Sequence, residues 1–329
     1  MGLRKALVVV LGLAAVGLFP CLCAAQSSLI GLGPLQVGSS LTSAPGVYLG
    51  VGLKKYVNSF ISWEGEDRYG TDTAFRLEYP FDQWFGGFVA TFVESTLAAK
   101  AEFWTNINTE IELLFQDSDW GPSFTRFFRL PTPSGKVFMT EATCSLHRGQ
   151  LVDFCISLPA VARSLGVSPL FGCRFQSFDF RAYDRSTRSS IGFPPRFVPG
   201  DFVLWRVKLL DCYAGAVSEV SFDLGGGFPQ IIMLIQADVA STKVDAVDSH
   251  AQRPFSQIVS DTKGLVWHVG LDTRLVVPNT AVVGCAVDFK RIRTGGDRKT
   301  SGPLTRMWNG ETRLWSDQLS LTVHGQWNF

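Results

Sequence analysis

Two short acidic constellations carry residue types that could activate water. The first is Phe115-Gln116-Asp117-Ser118-Asp119-Trp120; the second is Val244-Asp245-Ala246-Val247-Asp248-Ser249-His250. Carboxylates two residues apart on extended backbone point to the same side. Their crowding is unfavourable unless the pair holds a cation, shares a proton or orients water. Asp248 and His250, also two apart, set a carboxylate against an imidazole, a contact that fixes the ring tautomer and raises its basicity. Together they supply a carboxylate pair and a His–Asp dyad, a set that activates water without a metal, a cofactor or a covalent nucleophile. Calcium is the competing use of the carboxylates, and no EF-hand-like spacing supports it. Each cluster alone also reads as solvated loop acid, so the set has force only if one fold brings both to one place.

The elements available to position them are strands. In Leu319-Ser-Leu-Thr-Val-His-Gly-Gln-Trp-Asn-Phe329 the odd positions are apolar and end in aromatics, and the even positions are wholly polar. Ala281, Val283, Cys285, Val287 and Phe289 alternate with a face containing Asp288 and Lys290. Leu265, Trp267, Val269 and Leu271 alternate with one containing His268 and Asp272. Val203, Trp205, Val207 and Leu209 alternate with a set containing Arg206 and Lys208. Charges facing a dry core are costly unless paired, whereas a wet barrel lumen accepts them. On this reading Arg206 and Lys208 face a lumen, where His268 and His324 act as hydrogen-bonders. The pattern is that of a transmembrane antiparallel β-barrel with an apolar, aromatic-girdled exterior. A soluble β-sandwich is the alternative, and it would have to turn the polar faces of the last strands to solvent.

Roughly ten strand-like segments lie between turn clusters, near residues 45–63, 72–93, 97–116, 135–152, 169–187, 200–217, 220–242, 256–275, 279–293 and 314–329. Strands of this length project beyond a bilayer. Pro278-Asn279 marks a short turn, and the stretches 117–134, 188–199 and 243–255 read as outward loops. Strict alternation from Phe103 and Ile107 would put Asp117 and Asp119 on the lipid side. A bulge is therefore expected between Thr105 and Leu114, as is common at barrel rims.

The N-terminus carries Arg4 and Lys5, an apolar run from Ala6 to Phe19 and small residues at Cys23-Ala24-Ala25. This is the layout of a secretory signal peptide spanning 1–25, leaving one domain from 26 to 329. An uncleaved anchor is the alternative. Lys+Arg (30) balances Asp+Glu (29), so no basic stripe points to nucleic acid. An aromatic content of 12% is too high for a disordered chain. No later apolar run reaches the length of a spanning helix. Cys144, Cys155, Cys173, Cys212 and Cys285 follow the signal; no CxxC or Cys/His spacing suggests zinc. They read as small hydrophobes, with a single bridge left open.

At the two acidic constellations the chain resembles the omptins, outer-membrane endoproteases built as ten-stranded barrels with an extracellular groove. Asp117-Ser118-Asp119-Trp120 matches the family's Asp-x-Asp-Trp motif after the third strand, and Asp248-Ser249-His250 matches its Asp-x-His motif after the seventh. Arg76-Leu77-Glu78-Tyr79-Pro80-Phe81 is similar to the opening of its second strand, and Val277-Pro278-Asn279 to its last turn. The resemblance spans about residues 45 to 329. It implies His250 as general base, Asp248 as its orienter, and Asp117 and Asp119 as the water-binding pair in an aspartic-type endopeptidase. It also implies a peptide or protein substrate, contact with outer-membrane lipids, a monomer, and assembly through the barrel-assembly machinery by the C-terminal strand ending in Phe329. Omptins that cleave beside basic residues carry an acid two positions before the dyad Asp; here that position is Ala246, with Asp245 offset by one. Such an offset on a strand reverses the side-chain direction. Glu64, Glu66 and Asp245 are the acids considered for substrate binding. The family's lipopolysaccharide-contacting stretch on strand five aligns with Cys173, Phe175 and Ser177, which argues against the usual lipid activation. A non-catalytic surface barrel (an adhesin, ligand-binding protein or narrow pore) is the alternative function.

Overall fold

The structure, a computed structural model, describes residues 36–37, 46–66, 73–107, 112–120, 136–158, 167–190, 194–222, 230–250, 257–277, 281–301 and 310–328. The signal segment 1–25, the Pro278-Asn279 turn and Phe329 lie outside the described residues. The described residues form thirteen strand segments: β1 (Gln36–Val37), β2 (Gly46–Glu66), β3 (Thr73–Pro80), β4 (Trp84–Val93), β5 (Ala98–Asn106), β6 (Leu113–Trp120), β7 (Lys136–Ser157), β8 (Val167–Ser189), β9 (Arg196–Phe222), β10 (Gln230–His250), β11 (Gln257–Val277), β12 (Ala281–Ser301) and β13 (Gly310–Asn328). All pairings are antiparallel, and β13 returns to pair with β2, which closes the sheet into a barrel. β3 and β4 succeed each other along β2, and β5 and β6 along β7. The ring therefore has ten strand positions, two of them interrupted, and β1 adds a short pairing at the end of β9. The strands from β7 to β13 run 19 to 27 residues, about twice the 9–11 residues that cross a bilayer.

The alternation carries two chemistries along one strand. In the lower barrel the outer face is apolar: Val47, Leu49, Val51 and Leu53 of β2, Phe88 of β4, Leu210 of β9 and Val323 of β13 are all exposed, with Trp84 and Trp327 at opposite edges of the band. The inner face there is polar, and Ser320, Thr322, His324 and Gln326 of β13 are buried. Above the band the faces exchange character. On β9, Trp205, Val207 and Leu209 are buried inward while Arg206 and Lys208 point out. The expectation that those two cations line the lumen is thereby corrected. Their stretch of β9 stands above the apolar band, where the exterior meets water and the interior must be apolar.

A network of charged side chains crosses the lumen. Arg174 donates to Asp238 through two nitrogens at 2.8 and 2.7 Å and to Asp153 at 2.8 Å, and its guanidinium lies 3.9 Å from the Tyr213 ring centre. His268 joins Asp238 (2.7 Å) to Asp288 (3.2 Å), and His324 sits 3.4 Å from Asp272. Both histidines are lumen hydrogen-bonders, as their place on the polar face predicts. A cavity of about 200 Å³ lies among Lys54, Glu102, Arg174, Asp272 and Lys290. Above it, aromatic rings seal the barrel: Tyr79 stacks on Trp205 at 4.1 Å and packs against Phe115 and Phe180, while Phe81 bridges Tyr56 and Phe178.

Between the two levels a line of irregularities crosses β2 to β7. Asn58 takes a left-handed φ of 48°, and the β2–β13 register shifts there. Below it Tyr48 and Tyr56 face inward; above it Ile61 and Trp63 do. The neighbouring backbone groups are satisfied by the β3–β4 break: Ser59 N donates to Asp82 Oδ1 (2.7 Å) and Phe81 N to the Ser59 carbonyl (3.1 Å). On β7 a shift between Leu146 and Arg148 is held by Asn106, which donates to the Leu146 carbonyl and accepts from Gly149 N. Asn58→Ala is expected to cost about 1 kcal/mol, because alanine keeps the β-carbon that a left-handed φ disfavours but loses the short polar side chain whose local hydrogen bonding makes that φ accessible to Asn, and Asn58→Gly less. Urea-unfolding midpoints of the two variants in micelles check this.

Candidate active site

The β5–β6 break decides where the first acidic pair points. Phe103 and Ile107 face out, yet Phe115 is fully buried. The chain uses two more residues between Thr105 and Leu113 than β7 uses between Gln150 and Cys144. An even surplus does not by itself reverse the face, so the reversal between exposed Ile107 and buried Phe115 comes from an irregularity inside the interval where the sequence requires it. Asp117 is then the cross-strand partner of Leu77, and Asp119 of Phe75. Both partners are buried inward, so both aspartates belong to the inner face of the barrel mouth.

On β10 the even positions face inward without interruption through Asp238, Thr242, Val244, Ala246 and Asp248. Asp248 pairs in register with Trp205 and Ile258, and His250 with Val203. The Asp248 carboxylate has no solvent exposure, and its Oδ2 lies 3.3 Å from His250 Nε2. Phe202 packs edge-on against the imidazole at 5.8 Å, and the Arg185 guanidinium lies 4.8 Å from the Phe202 ring centre. β6 and β10 stand across the barrel from each other. Tyr79 lies between them on the floor of the mouth, and burial first, then Asp248, Cys144 and Asp117, raise its hydroxyl well above the usual tyrosine value.

The acids considered for substrate binding do not join this site. Asp245 points outward, half exposed, with Lys243 Nζ at 3.3 Å, because it is one residue out of phase with Ala246. Glu64 also points outward, where it accepts a hydrogen bond from Trp315 Nε1 (3.0 Å) and pairs with Arg76. The face change at Asn58 put Trp63 inside and Glu64 outside. Glu66 ends β2 beside Thr73, and its side chain lies outside the described residues. The inner wall there is instead apolar, hydroxylic or basic: Val244, Ala246 and Ile258 are buried with Ser260 and Thr262 beside them, and Arg298 of β12 lies over the Phe75 ring at 4.6 Å. Gly65 makes room for that guanidinium, since a β-carbon there would sit 1.1 Å from Arg298 Nη1. Tyr79, Phe202, Arg185 and Arg298 were not singled out as site residues from sequence. Only Tyr79 had a signal, the Leu77-Glu78-Tyr79-Pro80 stretch of the second strand.

No family model and no curated protein matches the sequence. Among solved structures, the barrel is similar to the outer membrane protease OmpT from Escherichia coli, with 12% identity, 88% of this chain and 99% of that chain covered, and a TM-score of 0.67. Lower-scoring matches include the translocator domain of the autotransporter NalP from Neisseria meningitidis (10% identity, 96% of each chain, TM-score 0.34). OprG from Pseudomonas aeruginosa also matches (9% identity, 86% of this chain and 96% of that chain, TM-score 0.32). The chain thus has the omptin-like form of the outer-membrane β-barrel.

Proposed function

We propose that this protein is an outer-membrane endopeptidase whose nucleophile is a water molecule held at the extracellular mouth of the barrel. What supports the reading is that both constellations lie on the inner face of the barrel mouth, on strands that stand across the barrel from each other. Asp117 and Asp119 come from one side and the Asp248–His250 dyad from the other, with Tyr79 packed against Phe115 and Trp205 between them. In this mechanism the aspartate pair binds and orients water, and His250 removes a proton as the oxygen attacks the peptide carbonyl. The same proton then goes to the leaving amine. Asp248, buried against the imidazole, orients the ring and stabilises its charged form. The aromatic seal below the groove counts against a pore.

The test is cleavage of a mixed peptide pool near neutral pH by the refolded protein, with Asp119→Ala in parallel. Loss of cleavage in the variant, with unchanged heat-modifiable mobility, supports the reading. A well-folded wild type that cleaves nothing, with or without lipid A-type lipid, leaves a non-catalytic surface barrel instead. Because Ala246 and Val244 replace any inward acid, the preferred residue at the cleavage site is apolar or small. Ala246→Glu is expected to shift preference toward Arg or Lys by about tenfold or more, the effect of a charge-assisted contact of about 1.5–3 kcal/mol. Relative kcat/KM on matched peptides reads it.

A further inference from the structure

The five cysteines after residue 25 fall into two groups. Cys144 is buried in the aromatic core, Cys155 borders the lumen cavity, and Cys285 lies on the outer face of β12. Cys173 of β8 and Cys212 of β9 are different. They are direct cross-strand partners, both are exposed, and their Sγ atoms stand 3.3 Å apart. Strand parity isolates the pair: Cys155 faces inward on β7 opposite Gly172, and Cys285 is three strands away from β9.

We propose that Cys173 and Cys212 form an intramolecular disulfide that staples β8 to β9 on the lipid-facing surface. Directly opposed residues of an antiparallel pair have Cα atoms about 4.5 or 5.5 Å apart, and a disulfide spans about 4.4–6.8 Å. Small χ1 rotations close the remaining gap between the sulfurs. The pair lies within the outer apolar band, beside Phe171 and Leu210. A thiolate is strongly disfavoured in hydrocarbon, so the bond forms before insertion, in an oxidising exported compartment. The oxidant is a disulfide-donor protein. One thiolate attacks the donor's disulfide, giving a mixed disulfide and releasing one donor thiol. The second thiolate then attacks the mixed disulfide and releases the donor as a dithiol. Two protons leave the cysteines and two electrons pass to the donor.

The staple does not depend on the peptidase reading, and either can fail without the other. The experiment takes membranes from cells making the full chain, quenches them in acid and dissolves them in detergent with N-ethylmaleimide before digestion and mass spectrometry. The expected result is one linked Cys173–Cys212 peptide pair, two hydrogens lighter than its parts, with label only on Cys144, Cys155 and Cys285. On a non-reducing gel the denatured chain should run faster than the reduced one, and Cys173→Ser should abolish that shift. Label on both Cys173 and Cys212 before reduction overturns the proposal, as does a bond from either to another cysteine or to a second chain. The wild-type labelling decides the matter even if the serine variant does not assemble.

Discussion

His250→Ala is expected to lower kcat for peptide cleavage by about 10²–10⁴-fold, the usual contribution of a positioned general base. Substrate binding should change far less, because the groove walls at Val244, Ala246 and Ile258 stay in place. The variant also leaves the fully buried Asp248 carboxylate without its neighbour at 3.3 Å. Breaking a buried pair in this way costs about 3–5 kcal/mol, so the mouth of the barrel could loosen. The double variant Asp248→Asn/His250→Ala removes that charge. It should recover heat-modifiable mobility while remaining inactive. Equal activity in wild type and the His250 variant would end the dyad mechanism.

The second large effect lies in the lumen, well below the groove. Arg174 holds Asp238, Asp153 and His268 together at 2.7–3.2 Å. Arg174→Met leaves Asp238 and Asp153 without that cation, and is expected to cost about 3–5 kcal/mol of barrel stability. Adding Asp238→Asn should return part of that loss, since a neutral amide is much less costly to bury. Urea midpoints in micelles measure both steps. Peptide cleavage under native conditions should survive in each variant, which separates the lumen network from the site above.

Much of the fold was legible because the side-chain period of a strand is two. The β13 stretch from Ser320 to Gln326 shows which positions are lumenal before any coordinates are known. The misreadings have two physical origins. Arg206 and Lys208 were assigned to a lumen because the same alternation means opposite things above and below a membrane surface. Glu64 reads as a groove acid from its place at the end of the first strand, and it points outward because Asn58, an unremarkable polar residue in sequence, adopts a positive φ and reverses the phase of β2. The inward basic residues Arg185 and Arg298 left no trace, since nothing in their local sequence distinguishes them from solvated surface charge. The phase change ahead of Asp117 was different. Acidic residues at Asp117 and Asp119 are incompatible with a lipid face, and that conflict located it between Thr105 and Leu114.

The line of irregularities across β2 to β7 uncouples two decisions that a continuous strand would tie together. In an unbroken strand, adding one residue anywhere rotates every side chain beyond it. Here the break between β5 and β6 can absorb length without altering how Phe88 and Phe103 meet lipid, or how Trp104 meets the lumen. The membrane-embedded part could therefore stay constant while insertions or deletions at residues 107–112 re-aim the rim that carries Asp117 and Asp119. The barrel behaves as a fixed base carrying an independently adjustable head, a division that engineered grafts of new mouths onto this base could use directly.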